Sequence, residues 1–265
     1  MKTYNLKTYI VIPSYIVTEE LRDLTIATIN SFYESDPDVT IINVDDGSPM
    51  DTDWLEEMSD IYIRNKENSG FAITCNNGFK WIFENVKEDC YIICANNDIL
   101  VNIKTIPALQ APFNMWENVA ITGIVSTKEK LWEGGPLEEM DWKSMAEGGL
   151  LRDRMQDGGL WMSKRSILAK IGVFDERFIR GGYEDWDLFL RARDTFGMKL
   201  IMNGRACYWH KQGATRWNCE DNGYINNFGI ESKSIETENL ERFIEKWGFN
   251  PHMRQMWHNN EIFNA

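Results

Sequence analysis

The sequence predicts an α/β protein with a mostly parallel central sheet flanked by helices on both faces. Three observations carry this. Short β-branched, apolar runs alternate with helix-like runs through the first half of the chain. Those runs are apolar throughout, as strands covered on both faces are. Two polar clusters, Asp45-Asp46-Gly47-Ser48 and Asn96-Asn97-Asp98, each follow such a run directly. In open α/β sheets, ligands bind beyond the carboxyl ends of strands.

The elements follow in order. Tyr9 to Ile12 is a β-branched strand that stops at Pro13. Thr18 is an N-cap, and Glu19 and Glu20 in the next turn suit the helix dipole. Leu21, Leu24, Thr28 and Phe32 share one face of that helix. Val39 to Val44 is a second strand, ended by an Asp-Asp-Gly-Ser-Pro turn cluster. A short helix over 52–58 and a short strand over 61–63 lead into a loop, Asn65 to Gly70. A helix over 73–86 turns Phe79, Ile82, Phe83 and Val86 inward. Cys90 to Ala95 is a strand ending at Asn96-Asn97-Asp98, and a further helix and strand end near Val125.

The region 127–154 is irregular, rich in Gly, Glu and Trp. Order returns at Gly158-Gly159 with a strand and a short helix to Ile171. Gly181-Gly182 breaks the chain before Glu184-Asp185-Trp186-Asp187, which opens a helix. Ala206 to Trp209 is a strand ending at His210, and 237–247 is a helix. No internal repeat or low-complexity linker is present.

The bulk composition narrows the function. With 265 residues and 43% hydrophobic content, the chain can bury a core without disulfides or a structural metal. The net charge of −13 counts against a nucleic-acid or anionic-lipid binder. The stretch from Lys143 to Arg193 is locally rich in Lys and Arg. It reads as a solvated face offset by interleaved acids, ahead of a surface for a negative ligand. The five cysteines, Cys75, Cys90, Cys94, Cys207 and Cys219, lack zinc-knuckle spacing. Free buried thiols in a reducing compartment are expected. No signal-peptide-like run or span of about 18 apolar residues occurs, so a cytoplasmic location is expected.

The chemistry-bearing residues each admit two readings. Asp45 and Asp46 make an ordinary Asp-Gly turn, or one carboxylate accepts hydrogen bonds from a base or ribose. Asn96 and Asp98 are solvated loop residues, or Asp98 is an oxygen ligand for a hard divalent cation. Glu184 and Asp185 are helix-start acids, or one takes a proton from an acceptor hydroxyl. His210 is structural, or a neutral imidazole ligand for a manganese-type ion. His252 and His258 read as structural, and most of the eleven tryptophans as packing.

The order of these clusters resembles family 2 glycosyltransferases of the GT-A type, above all the rhamnosyltransferase-like branch. The similarity runs from V-I-P-S-Y (11–15) to His210, with a weaker echo at K-W-G (246–248). V-D-D-G-S-P (44–49) resembles the nucleotide-binding strand end. N-K-E-N-S-G-F-A (65–72) resembles the loop over the nucleotide. N-N-D (96–98) resembles the metal-binding D-x-D, with Asn96 in place of its first acid. I-G-V-F-D-E-R-F (171–178) and G-Y-E-D-W-D-L-F-L-R (182–191) resemble the acceptor-side block, with Tyr183 as an extra residue before Glu184. H-K-Q-G (210–213) resembles the H-x-x-G element.

The resemblance implies a GT-A catalytic domain over 1–215, with a nucleotide-sugar half to about 125 and an acceptor half over 126–215. Residues 216–265 are then a helical extension packed on it. It implies inverting transfer of a hexose or pentose from a nucleoside-diphosphate donor to a glycan, lipid-linked or other hydroxyl acceptor. A nucleic-acid acceptor is disfavoured by the charge. It assigns Pro13, Ser14, Asp45, Asp46, Asn68, Gly70, Phe71, Asn76, Asn96 and Asn97 to the nucleotide-sugar. Asp98 and His210 take Mn²⁺ or Mg²⁺, and Asp185, with Glu184 beside it, is the base. Arg180 or Lys164 adds positive charge. The competing class is a non-catalytic sugar-nucleotide or glycan-binding module on the same fold. A nucleotidyltransferase needs a glycine-rich basic loop near the N-terminus, and Pro13 to Thr18 holds neither glycine nor lysine.

Overall fold

The structure is a computed structural model that describes residues 6–127, 151–153, 158–211, 237–252 and 262–263. Its strands are β1 (Thr8–Ser14), β2 (Thr40–Asp45), β3 (Ile61–Arg64), β4 (Tyr91–Ala95), β5 (Ile99–Leu100), β6 (Val119–Thr127), β7 (Leu151–Asp153), β8 (Leu160–Lys164), β9 (Lys199–His210) and β10 (Ile262–Phe263). Its helices are α1 (Glu19–Ser35), α2 (Asp53–Glu57), α3 (Phe71–Asn85), α4 (Thr105–Met115), α5 (Arg165–Ile171) and α6 (Glu184–Leu190), with a further helix, α7, over 237–247.

The strands form one sheet in the order β10-β7-β9-β6-β8-β4-β1-β2-β3, with β5 pairing to β9. From β4 to β3 every neighbour is parallel, as the apolar runs predict. β8 enters antiparallel between β4 and β6, and β6 and β9 are again parallel. The antiparallel β8 places the two residues before it, Gly158 and Gly159, at the carboxyl end of β4, because Leu160 pairs with Ala95. The antiparallel β5–β9 pair, Ile99 with His210, brings the end of β9 to the same place.

The chain runs β1 to β2 to β3 on one side of β1 and then crosses to β4 on the other. The crevice between β1 and β4 is therefore a switch point, where such sheets hold ligands. Alternation along the strands splits the core in two. Val11, Val44, Ile92 and Cys94 face α3 and the Trp161–Phe174–Phe189 aromatic cluster. Ile10, Ile12, Ile41 and Ile93 face α1 and α4.

β1 extends through Pro13, beyond the predicted stop. The β1–β4 register ends at Val11–Cys94, so the missing Pro13 N–H interrupts no ladder bond there. The α1 cap is as read: Thr18 Oγ accepts from Leu21 N, and Leu21, Leu24, Thr28 and Phe32 are buried. β9 begins seven residues earlier than the Ala206 start read from sequence.

Candidate functional site

Three groups of residues meet at the carboxyl ends of β1, β2 and β4. The first is built on β2. Asp45 is fully buried, and its carboxylate is saturated by the protein. Oδ1 accepts from Ser48 N at 2.8 Å and Ser48 Oγ at 2.6 Å. Oδ2 accepts from Thr52 Oγ1 at 2.8 Å, from Tyr62 OH at 2.9 Å and from Arg64 Nη1 at 3.0 Å. Burial pushes the Tyr62 hydroxyl pKa up, so it remains a donor. A carboxylate offers about four acceptor sites, so Asp45 has none left.

Asp46 differs. Its Oδ1 accepts from Asn65 Nδ2 and Ser69 N, both at 2.8 Å, and its Oδ2 from Gly70 N at 2.9 Å. Asp46 thereby folds the 65–70 loop over the strand end, with half-buried Asn68 within it. Three protein donors against about four sites leave one lone pair. Beside it, Ser14 is buried, accepts Asp46 N through its carbonyl at 2.8 Å, and has no hydrogen-bond partner for Oγ among the described residues.

Gly70 stands at φ +88°, and a Cβ there would fall 2.5 Å from Arg180 Cα. Only glycine permits that conformation and approach. Phe71 N donates to Arg180 O at 2.9 Å. Phe71 and Asn76, assigned to the nucleotide-sugar by resemblance, are turned to the 174–176 segment. The Phe71 ring lies 5.8 Å from that of Phe174, and the Asn76 amide bonds both Phe174 N and O and Glu176 Oε1. Asn97 donates to Thr25 Oγ1 at 2.9 Å, fastening the β4 end to α1.

The second group is Asp98, His210 and Asn96. His210 Nε2 lies 3.2 Å from Asp98 Oδ1 and 3.2 Å from Asn96 Nδ2, and both Asp98 and His210 are buried. Backbone bonds lock the cluster: Asn96 N to Gly159 O at 2.9 Å and Lys211 N to Asp98 O at 3.1 Å. Asn96 Oδ1 is buried with no hydrogen-bond partner among the described residues. A carboxylate, an imidazole nitrogen and an orphaned amide oxygen together are a donor set that suits a manganese-type cation. No group of three His, Cys, Asp or Glu side chains at metal spacing occurs among the described residues. A cation held here would take the rest of its shell from water or a ligand, as cations shared with phosphates do.

The third group is Glu184–Asp185 at the start of α6. Glu184 is 6% exposed, whereas Asp185 is only half-buried. Asp185 is thus the acid that meets solvent. Its Oδ1 accepts from Trp186 N at 2.8 Å. Asp187, two residues on, is fully buried and binds Arg191 Nε at 2.9 Å, Trp247 Nε1 at 2.9 Å and Lys246 Nζ at 2.7 Å. It ties α6 to α7.

The second and third groups meet across Gly158-Gly159. A Cβ on Gly158 would lie 2.2 Å from Asp185 Oδ2. A Cβ on Gly159 would lie 2.7 Å from His210 Cε1 and 3.1 Å from Tyr208 OH. These glycines, together with Tyr208, were not singled out as site residues from the sequence. Their signal was a Gly-Gly pair at a strand start, which reads equally as a turn.

Several cations in the described part of the basic stretch bond within the protein. Arg191 also binds the Ile171 and Val173 carbonyls, Arg177 pairs with Asp175, and Arg165 bonds Phe83 O. Lys164 does not supply charge to the site. It pairs with Tyr91, at the opposite end of β4 from Asn96, and lies over the Tyr91 and Phe113 rings. Arg180 is exposed beside Gly70. Gln212 and Gly213 of the H-K-Q-G element, Cys219, His258 and the side chains at 143, 152 and 154 lie outside the described residues. The other four cysteines are buried and unpaired by disulfides, with Cys75 and Cys94 Sγ 3.7 Å apart. Burial pushes the Cys207 thiol up to about 11 and the Cys90 thiol up to about 12.

Comparison with known proteins adds to this geometry. The family model described as glycosyl transferase family 2 matches residues 9–172. No curated protein matches the sequence significantly. Among solved structures, GalNAc-T7 with UDP, GalNAc and Mn²⁺ superposes with a TM-score of 0.54 at 16% identity, over 79% of this chain and 44% of that one. TarS of S. aureus with UDP-GlcNAc gives 0.56 at 14%, over 77% and 58%. The mannosyltransferase PcManGT of Pyrobaculum calidifontis with GDP-Man and Mn²⁺ gives 0.56 at 17%, over 81% and 60%. The chain thus spans about half the length of these three, and at such identities the likeness is one of fold, the GT-A α/β fold.

Proposed function

The chain belongs to glycosyl transferase family 2, and from that premise we propose that it is an inverting, metal-dependent glycosyltransferase of the rhamnosyltransferase-like branch. The sugar, a hexose or pentose, moves from a nucleoside-diphosphate donor to an acceptor hydroxyl on a glycan, a lipid-linked sugar or another hydroxylated molecule. One observation carries the reading: the Asp98–His210 pair and the Asp185 carboxylate border one Gly158-Gly159 floor at the switch point. The solved neighbours that hold UDP, UDP-GlcNAc or GDP-Man, two of them with Mn²⁺, support a nucleotide-sugar donor.

In this reading the nucleotide lies over the ends of β1 and β2. Asp46, which keeps an acceptor site, and Ser14, with its uncommitted hydroxyl, contact it. Asp45 serves by holding Ser48, Thr52, Tyr62 and Arg64 in place beneath. Asp98 and His210, with Asn96 Oδ1 beside them, hold Mn²⁺ or Mg²⁺, which supplies positive charge to the leaving diphosphate.

Asp185 takes the proton from the acceptor hydroxyl as its oxygen bonds the anomeric carbon. The carbon–oxygen bond to the diphosphate breaks on the opposite face, and the diphosphate leaves with the electron pair. Half-buried Asp185 is the more exposed of the two acids, which favours it over buried Glu184 as the group that meets the acceptor. Residues 1–215 act as one catalytic unit, and the described helix α7 of the 216–265 extension is fastened to it by the bonds from Lys246 and Trp247 to Asp187. Buried free thiols suit a reducing, cytoplasmic setting. No helix among the described residues is long and apolar enough to cross a membrane.

Thermal-shift screening against nucleotide-sugars with Mn²⁺ identifies the donor through its stabilisation of the folded state. With that donor, Asp185→Asn lowers turnover by about 10²–10⁴ and spares donor binding. Asp98→Ala abolishes metal-dependent binding. Near-normal transfer by Asp185→Asn refutes the base, and calorimetry showing unchanged metal-dependent binding by Asp98→Ala refutes the metal role.

A further inference from the structure

Asp185 follows a backbone that is unfavourable left to itself. Arg180, Gly181, Gly182 and Tyr183 all have positive φ, at 60°, 154°, 107° and 72°. Two of the four carry side chains, for which this region is disfavoured and persists only when the surroundings hold it. Tyr183 is also the N-cap of α6 and offers no side-chain capping bond. The direction of the first turn of α6, and with it the place of Asp185, depends on what holds the loop.

Phe71 N holds Arg180 O from the start of α3, and the other holds come from the 237–252 segment. Asn239 is fully buried. Its Nδ2 donates to Ile179 O at 2.9 Å and to Gly181 O at 3.2 Å. Its Oδ1 accepts from Ile179 N at 3.2 Å and from Arg242 Nη1 at 2.9 Å. The amide bonds both backbone groups of Ile179, as a neighbouring strand would, and all four of its hydrogen-bonding places are used. On the other side of Asp185, Trp247 and Lys246 bind Asp187. His252 Nε2 lies 2.8 Å from Tyr183 OH, and the rings of Tyr183 and Trp186 pack on Phe243. The segment 237–252 therefore grips the chain at 179–183 and again at 187. All of these contacts lie outside the 9–172 span that the family model matches.

Resting on the reading of Asp185 as the base, we propose that Asn239 is a positioning residue for the transfer reaction. It fixes the left-handed loop that sets where the Asp185 carboxylate stands over Gly158. A misplacement of about 1 Å costs roughly 10²-fold in rate, so loosening the 179–181 end of this loop should be felt in turnover.

The test is a double-mutant cycle in the full chain, with Asn239→Ala, Asp185→Asn and both together. Turnover is read as nucleotide release with Mn²⁺ from whichever of UDP-GlcNAc, UDP-GalNAc and GDP-mannose is consumed. Binding of UDP or GDP with Mn²⁺ is read by calorimetry. Asn239→Ala is expected to lower kcat by roughly 10²-fold and leave nucleotide binding as in the parent. On the Asp185→Asn background it adds little, because residues acting through one group are not additive. Near-normal turnover by Asn239→Ala beside an inactive Asp185→Asn, or an additive loss, overturns this proposal alone. Retained transfer by Asp185→Asn overturns the base reading and this proposal with it.

Two further measurements keep the test open if Asn239→Ala folds poorly or no donor turns over. Trp247→Phe keeps the ring against Phe243 and removes one donor to Asp187. It should lose turnover in the same direction, again with little added on Asp185→Asn, and an additive loss counts against the proposal. Hydrogen exchange needs no substrate: in Asn239→Ala the 179–183 amides should exchange faster while 75–85, which bond within α3, do not. Unchanged exchange at 179–183 overturns it.

Discussion

The Asp185 carboxylate rests on the backbone of Gly158, so close that a Cβ at 158 would lie 2.2 Å from Oδ2. Asp185 at the start of α6 and Gly158, two residues before β8, thus define each other's position. Gly158→Ala should push the carboxylate off its place and lower turnover by roughly 10²-fold. Gly158 is not among the glycines at positive φ, so the backbone accepts alanine and the melting temperature should change little. Steady-state kinetics beside a thermal melt test this. Normal turnover in Gly158→Ala would show that the contact is incidental.

The two adjacent acids at the end of β2 should respond differently. Asp45→Asn leaves Thr52, Tyr62 and Arg64 around a neutral amide that repels some of their donors. It should cost about 1–3 kcal/mol of stability, visible as a lower urea midpoint. Asp46→Asn disturbs the bonds to Ser69 N and Gly70 N. It should chiefly weaken nucleotide binding, read by calorimetry with UDP or GDP and Mn²⁺. Equal effects on both measurements in both variants would erase the distinction.

The contrast between those acids also marks how far the sequence could be read. The strand ends at Asp45 and Asn96 were legible because apolar runs and turn residues are local signals. The pairing of Asp98 with His210 was suggested by resemblance, and geometry brings them to 3.2 Å. What stayed hidden depends on distant contacts. Nothing near Asn76 says that its amide is used by Phe174, 98 residues away. Nor does the stretch around Asn239 say that it serves Ile179, 60 residues back. His252 read as structural, and it does pack, but its partner is the hydroxyl of Tyr183, two residues before Asp185. Lys164 read as a charge near the site because sequence alone could not give the direction of β8.

Asp175 supplies a pH test of the α7 attachment. Arg177 first, then Lys246, hold its carboxyl well below the usual carboxylate range, against the opposing effect of burial. A depressed folded-state pKa contributes stability above the unfolded value, about 3.9, and loses it as pH falls through and below that value. Asp175→Asn should therefore be less stable than the parent at pH 7, by about 1–2 kcal/mol for charged hydrogen bonds of partial exposure. The gap should narrow at about pH 3, where the unfolded parent's carboxyl has largely taken up its proton while the folded one has not. Urea midpoints at the two pH values decide it. A gap that is constant with pH would assign the loss to packing.

The packing of α3 sets a last prediction, because this helix begins at the loop Asp46 organises. A Cβ on Gly78 would lie 2.5 Å from Val11 Cγ1 and 3.2 Å from Val44 Cγ2. Alanine in a helix interior gains about 1 kcal/mol over glycine from propensity. Overpacking against a β-branched side chain, which has few rotamers to move to, costs about 1–3 kcal/mol. The clash should prevail, so Gly78→Ala lowers the urea midpoint and Gly78→Val lowers it further. Val11→Ala opens the same space, and the double variant with Gly78→Ala should be more stable than the sum of the single losses predicts, as neighbouring residues couple. Lifting α3 from β1 and β2 also shifts Gly70 and Phe71 at its start, so nucleotide binding by Gly78→Val should fall with stability. If Gly78→Ala raises the midpoint, the helix has room to settle and the close approach is not what seats the loop.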